Sequence, residues 1–162
     1  MKLNLTINEE KVSLDAEPET SLLELLRRQK LLSVKCGCGK ANCGACAVLL
    51  DGKAVLSCLI PCGIVRNAKI ITLEHFSKQA ACQEIIKGFE KAGVNLCGWC
   101  NPGKIFAAWE IITTFPNPTR EQIAERVSDL RECCAENDAL INGIIYAAQN
   151  HFEKERMKKN AK

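Results

Sequence analysis

Leu3, Leu5 and Ile7 alternate with polar residues from Lys2 onward, a period of two that predicts a strand with one buried face. Asn8-Glu9-Glu10-Lys11 supplies a turn before Val12 and Leu14 continue the pattern, so Lys2 to Leu14 is predicted as a β-hairpin. Ser21-Leu22-Leu23-Glu24 has the Ser-x-x-Glu form of a capping box and opens an apolar-rich stretch to Leu32, predicting one short helix. Ala47-Val48-Leu49-Leu50 and Ala54-Val55-Leu56 flank Asp51-Gly52-Lys53, where Asp-Gly is a strong tight-turn signal between strands. Ile70-Ile71-Thr72-Leu73 reads as a last strand.

Beyond about residue 75 the period changes to that of helices. A helix is predicted from Ser77 to Lys91, ended near Gly93. Asn101-Pro102 reads as an N-cap followed by proline at the first helical position, starting a helix that Pro116 stops. Thr119-Arg120-Glu121-Gln122 is a second capping box, opening a short helix to about Val127. A final amphipathic helix runs from about Asp138 toward a charged tail, Glu153 to Lys162, read as frayed. No internal repeat or low-complexity linker separates the halves, which predicts that they pack closely.

The 162 residues suit one ordinary domain or two small ones, and 47% hydrophobic content supports a packed core. A formal net charge of +3 is too small for a nucleic-acid footprint. No apolar run approaches the roughly 18 to 20 residues that span a bilayer, and the N-terminus lacks the order of a signal peptide. The expectation is a soluble, cytoplasmic protein with no nucleic-acid or membrane partner.

Eleven cysteines change the picture, since ordinary composition supplies about two or three in such a length. Near-neighbour C-x-C, C-x2-C and C-C spacings fit a disulfide framework poorly, because such pairs cannot bridge without strain. Thiolates in a reducing compartment favour iron or zinc over calcium or magnesium. Cys38-x4-Cys43-x2-Cys46, followed after eleven residues by Cys58, has the plant-type ferredoxin spacing: three ligands from one loop and a fourth from beyond a hairpin. Gly37, Gly39 and Gly44 let such a loop curl round a [2Fe-2S] cluster with its N–H groups facing sulfur. The competing reading, a zinc ribbon or a set of free thiols, is disfavoured because zinc sites usually use two separated C-x2-C pairs. Cys97-x2-Cys100 precedes a helix start, where unpaired N–H groups stabilise thiolates and an anionic cluster.

The stretch Ser33-Val34-Lys35-Cys36-Gly37-Cys38-Gly39, the run Cys43-Gly44-Ala45-Cys46-Ala47-Val48-Leu49-Leu50-Asp51-Gly52, and Ser57-Cys58-Leu59 carry a resemblance, as do Cys97-Gly98-Trp99-Cys100-Asn101-Pro102-Gly103 and Pro116-Asn117-Pro118-Thr119-Arg120. The chain resembles, over nearly its whole length, the small iron-sulfur subunit of molybdenum hydroxylases of the xanthine dehydrogenase and aldehyde oxidoreductase type. The resemblance implies an α+β protein: a β-grasp ferredoxin domain over residues 1–75, then a four-helix domain over 76–162, each with one [2Fe-2S] cluster. It also implies an electron-transfer subunit without substrate chemistry of its own. Electrons would pass from a molybdopterin centre in a large subunit, across both clusters, to FAD on a third component. The competing expectation is a ferredoxin-like carrier for a partner whose pterin site has diverged or vanished.

Two departures from the family pattern fall in the second half. The family's second cysteine pair has the form C-x-C, in a segment like Gly-Asn-Leu-Cys-Arg-Cys-Thr-Gly-Tyr. Here Ser128 to Asn137 occupies that place, and a gapless alignment from Pro118-Thr119 puts Glu132 and Cys134 on the ligand positions. A one-residue adjustment lets Cys133 and Cys134 both serve. Three readings stand: a cluster on Cys97, Cys100, Cys133 and Cys134, which is preferred; a cluster with Glu132 as oxygen ligand; or a degenerate site. The second departure is Leu96, where the family carries a glutamine that contacts the pterin and leucine cannot hydrogen-bond. Ala41, where the family often has glycine, is a milder change. Cys36, Cys62 and Cys82 fit neither pattern and read as thiols without a role, Trp99 and Trp109 as packing residues, and His75 and His151 as isolated.

Overall fold

The computed structural model describes residues 1–160. Five strands form one mixed sheet in the order β2-β1-β5-β3-β4, with β1 and β5 parallel and the other neighbours antiparallel. β1 (Lys2–Ile7) and β2 (Glu10–Asp15) are the predicted hairpin, with Leu3, Leu5 and Ile7 all buried. Asn8 and Glu9 both take positive φ, 51° and 73°, the two-residue turn whose twist matches that of the strands. β3 (Ala47–Leu50) and β4 (Lys53–Leu56) meet at Asp51-Gly52, which turns in the same way with φ of 49° and 84°.

α1 (Leu22–Arg28) buries Leu22, Leu23, Leu25 and Leu26 against the sheet and is capped by Ser21, whose hydroxyl accepts the Glu24 N–H. It stops four residues short of the predicted Leu32, because Lys30 turns to φ 61° and the chain leaves toward the cysteine loop. β5 (Lys69–Ile71) is also shorter than its apolar run: Thr72 caps a one-turn helix, α2 (Leu73–Phe76). The Glu74 carboxylate accepts hydrogen bonds from the Thr72 hydroxyl (2.6 Å) and from the Ser33 N–H and hydroxyl, fastening α2 to the entrance of the first cysteine loop.

Four longer helices follow: α3 (Ala80–Lys91), α4 (Asn101–Thr114), α5 (Arg120–Ser128) and α6 (Asn137–Asn160). The architecture is α+β, with the sheet and α1 around one apolar core and the helices around another. The capping box of α5 forms as its sequence predicts. α4 begins one residue early: Cys100 is its N-cap and Asn101 is already helical, so the Asn101 side chain caps nothing. α6 continues unbroken through Asn160, so the tail read as frayed is helical as far as the described residues run. Leu73 and Phe76 from the sheet's end, and Ala47 and Leu49 from β3, enter the helical core, so the halves share one contact. Among the described residues no helix is long and apolar enough to cross a membrane.

Candidate metal centres

The loop between α1 and β3 curls as its glycines allow. Gly39 and Gly44 take φ of 62° and 75°, and a Cβ on Gly37 would lie 2.6 Å from Cys43 Sγ. Cys38 Sγ accepts the backbone N–H groups of Lys40 (3.4 Å), Asn42 (3.3 Å) and Cys43 (3.4 Å), while the Cys38 N–H points at Cys43 Sγ (3.4 Å). Those N–H groups hold the Cys38 thiol down at about 6, favouring thiolate. Cys46 is buried at the loop's end, and burial lifts its thiol to about 11. The Ser57 hydroxyl and N–H both donate to the Cys46 carbonyl, at 2.7 and 3.3 Å, which sets Cys58 beside Cys46. The four cysteines therefore stand as two neighbouring pairs, Cys38 with Cys43 and Cys46 with Cys58.

The second set assembles at the N-terminus of α4. The sulfurs of Cys97, Cys100 and Cys134 all lie within 4.8 Å of one another. Cys133 joins them, 3.1 Å from Cys100 Sγ and 3.7 Å from Cys134 Sγ. The adjacent cysteines thus reach different partners, Cys133 toward Cys100 and Cys134 toward Cys97. Burial chiefly lifts the Cys100 thiol, to about 11, while the hydrogen bond with Cys100 lowers Cys133 to about 7. Cys97 is lowered, first by the Trp99 N–H and then by Cys134.

The Glu132 carboxylate turns elsewhere: it accepts the Asn137 N–H at 3.0 Å, capping the first turn of α6. Leu96 packs half-buried against the helical core, and near it lies Asn101 Oδ1, buried without a protein partner. Trp109 is a packing residue, tilted against Phe76 (5.6 Å between ring centroids) and edge-on to His151 (5.7 Å). Trp99 is 55% exposed instead, with its indole nitrogen 3.6 Å from where a Gly37 Cβ would sit. Neither histidine is isolated as read: His151 Nδ1 is 3.0 Å from a carboxylate oxygen of buried Glu84, and His75 is 3.7 Å from Glu9. Cys62 and Cys82 are buried and Cys36 is exposed.

The sequence reading missed Lys104. Its side chain is buried at 3% exposure, with Nζ donating to Cys100 Sγ (3.2 Å), Cys133 Sγ (3.5 Å) and the Arg131 carbonyl (3.1 Å). Its position one helical turn after Cys100 was the available signal, since residues four apart share a helix face.

The two sulfur sets are neighbours. A crevice of about 450 Å³ has Cys38 and Cys43 on one wall and Cys97, Cys100 and Cys133 on the other. Gly44 and Gly103, which follow Cys43 and Cys100 closely in the chain, meet backbone to backbone: a Cβ on Gly103 would fall 2.9 Å from the Gly44 Cα. The donor chemistry fits iron-sulfur clusters, being soft sulfur throughout, with backbone N–H groups already directed at it.

Two such centres held on a β-grasp sheet and a helical bundle define a two-cluster iron-sulfur electron-transfer protein. The model of a 2Fe-2S iron-sulfur cluster binding domain matches residues 5–87, and that of a [2Fe-2S] binding domain matches 72–157. The nicotinate dehydrogenase small FeS subunit of Eubacterium barkeri is 38% identical over 127 residues, 78% of this chain and 81% of that one. The xanthine dehydrogenase iron-sulfur-binding subunit of Escherichia coli O157:H7 is 44% identical over 105 residues, covering 65% and 66%. In the crystal structure of quinoline 2-oxidoreductase from Pseudomonas putida 86, a chain matches with a TM-score of 0.79 at 28% identity, over 92% of this chain and 94% of that one. The chain belongs to the family of small iron-sulfur subunits of molybdenum hydroxylases: it is the electron-transfer component of an oxidoreductase complex, with two [2Fe-2S] domains and larger partner subunits.

Proposed function

We propose that this chain carries electrons between a large molybdopterin-binding subunit and an FAD-binding subunit or domain in the cytoplasm, through a ferredoxin unit (residues 1–75) and a helical unit (76–162). The observation that carries this reading is the shared crevice, whose lining takes in Cys38 and Cys43 of the first sulfur set and Cys97, Cys100 and Cys133 of the second. In the first unit Cys38, Cys43, Cys46 and Cys58 are the ligands, and in the second Cys97, Cys100, Cys133 and Cys134. Bound there, each cluster supplies a one-electron couple. The cysteines fix where it sits, the N–H groups around Cys38 and the buried Lys104 offset its negative charge, and burial of Cys43, Cys46 and Cys100 keeps water from one side.

The all-cysteine second set is supported over the Glu132 alternative by the capping bond of that carboxylate and by the approach of Cys133 to Cys100. Iron analysis and electron paramagnetic resonance on protein purified without oxygen test it. Unsubstituted protein should carry four irons in two distinct centres; Cys133→Ser should damage the helical centre and Glu132→Gln should leave it intact. The reverse response would make Glu132 the ligand, and two irons, with every signal lost in Cys58→Ala, would mean that the helical unit holds no cluster.

Leu96 favours a second reading, a carrier serving a partner without molybdenum, because its side chain offers no hydrogen bond where the family places a pterin contact. Copurification separates the two: a large subunit containing molybdenum supports the first, and a stable chain without either supports the second.

A further inference from the structure

Lys104 is, among the described residues, the one buried base. Helix α4 carries it, and the side chain is 3% exposed, on the helix face that Cys100 shares one turn earlier. Taking an ammonium out of water is expensive unless the protein supplies compensating charge. Among the described residues none of the ion pairs involves Lys104, and Asp129, which lines the adjoining crevice, is 3.6 Å from Arg126 instead. What Lys104 faces is sulfur, Cys100 at 3.2 Å and Cys133 at 3.5 Å, with the Arg131 carbonyl completing its three donors. The charge is therefore compensated by the centre itself.

We propose that Lys104 sets the reduction potential of the helical-unit centre, raising it above what the four cysteines alone would give. The proposal rests on the all-cysteine reading of that centre. Reduction adds one electron and no proton to a group that is already anionic, so a fixed cation at hydrogen-bond distance stabilises the reduced form more than the oxidised one. The interaction is strong because Lys104 and Cys100 lie in protein rather than water, and N–H groups directed at sulfur act in the same sense. In the first centre the donors directed at sulfur are neutral N–H groups, on Cys38, Cys43 and Cys46. Lys104 thus biases the pair, making the helical unit the better electron acceptor relative to its sulfur set.

Anaerobic redox titration of the whole complex, following each centre by its own paramagnetic signal, tests this in Lys104→Met, Lys104→Gln and Lys104→Arg. The neutral variants should lower the helical centre's reduction equilibrium constant at least tenfold, about 59 mV for a one-electron couple. The ferredoxin-type centre should not move, and Lys104→Arg should stay within about threefold of the unsubstituted protein, as retained charge requires. Four irons with an unmoved potential in Lys104→Gln would overturn the inference while leaving the ligand reading intact. Loss of the helical centre from both neutral variants, with retention in Lys104→Arg, would replace tuning by a holding role. Two irons in the unsubstituted protein would bring down the ligand reading, and this inference with it.

Discussion

Ala41 holds φ at 51° inside the first cysteine loop, a conformation that costs an L-residue about 1–2 kcal/mol and glycine almost nothing. Ala41→Gly should therefore stabilise the loaded protein by about 0.5–1 kcal/mol after the entropy lost by glycine is deducted. A rise in the urea midpoint of visible-absorption bleaching would register it, and an unchanged or lowered midpoint would count against strain there. At this scale the ligands proposed for the first centre were chosen from spacing alone, because Cys38, Cys43, Cys46 and Cys58 lie in one chain segment, and the fold places them as the pairs Cys38 with Cys43 and Cys46 with Cys58. Lys104 was not legible, since a lysine in an apolar helical run reads as a solvated position until the Cys133 segment is seen folded over it. Glu132 was ambiguous for a related reason: counting residues puts it near sulfur, and only the position of the Asn137 N–H diverts it.

Among the elements, α3 and α6 make the closest pairing, crossing where Gly88 and Gly143 face each other; a Cβ on Gly88 would lie 2.5 Å from the Gly143 carbonyl oxygen. The two helices were each predicted from their period, but that contact was not, because a helical glycine gives no hint of which partner approaches it. Glu84 on α3 fastens the same pair through His151 (3.0 Å) and Lys154 (2.8 Å) on α6. Burial pushes the Glu84 carboxyl up, and hydrogen bonds from Lys154 and His151 outweigh it, so the group ends below the ordinary carboxylate value. A depressed value means that its stabilisation is present above the unfolded carboxylate range, about 4.3, and is lost as pH falls through the lowered folded value. Glu84→Gln should cost about 1–3 kcal/mol at pH 7, and the gap between variant and parent in urea unfolding should close on acidification below that range. A gap that persists at low pH would assign the loss to packing instead.

Across the whole molecule, the predicted α+β class matches the folded chain, while the lengths of β5 and α1 were overrun because apolar Leu73, Leu31 and Leu32 extend the patterns past caps that only tertiary contacts create. The joint between the halves depends on Gly44 against Gly103. Gly103→Ala would force a Cβ to 2.9 Å from one backbone atom and 3.1 Å from another, so the loops must part by some tenths of an ångström. The expected result is a destabilisation of about 1–3 kcal/mol and weaker magnetic coupling between the two reduced centres, with iron content unchanged. Coupling equal to that of the parent would show that the gap is fixed elsewhere.

Where Gly44 and Gly103 bring two main chains together without side chains between them, the joint that ties the two sulfur-bearing segments has no adjustable filler. Any side chain longer than hydrogen at this joint can only part the two segments, never draw them closer. The properties left free to vary are the energy levels on either side of a constant step, and α4 carries on consecutive residues both the glycine that closes the step and the lysine that faces one of its ends.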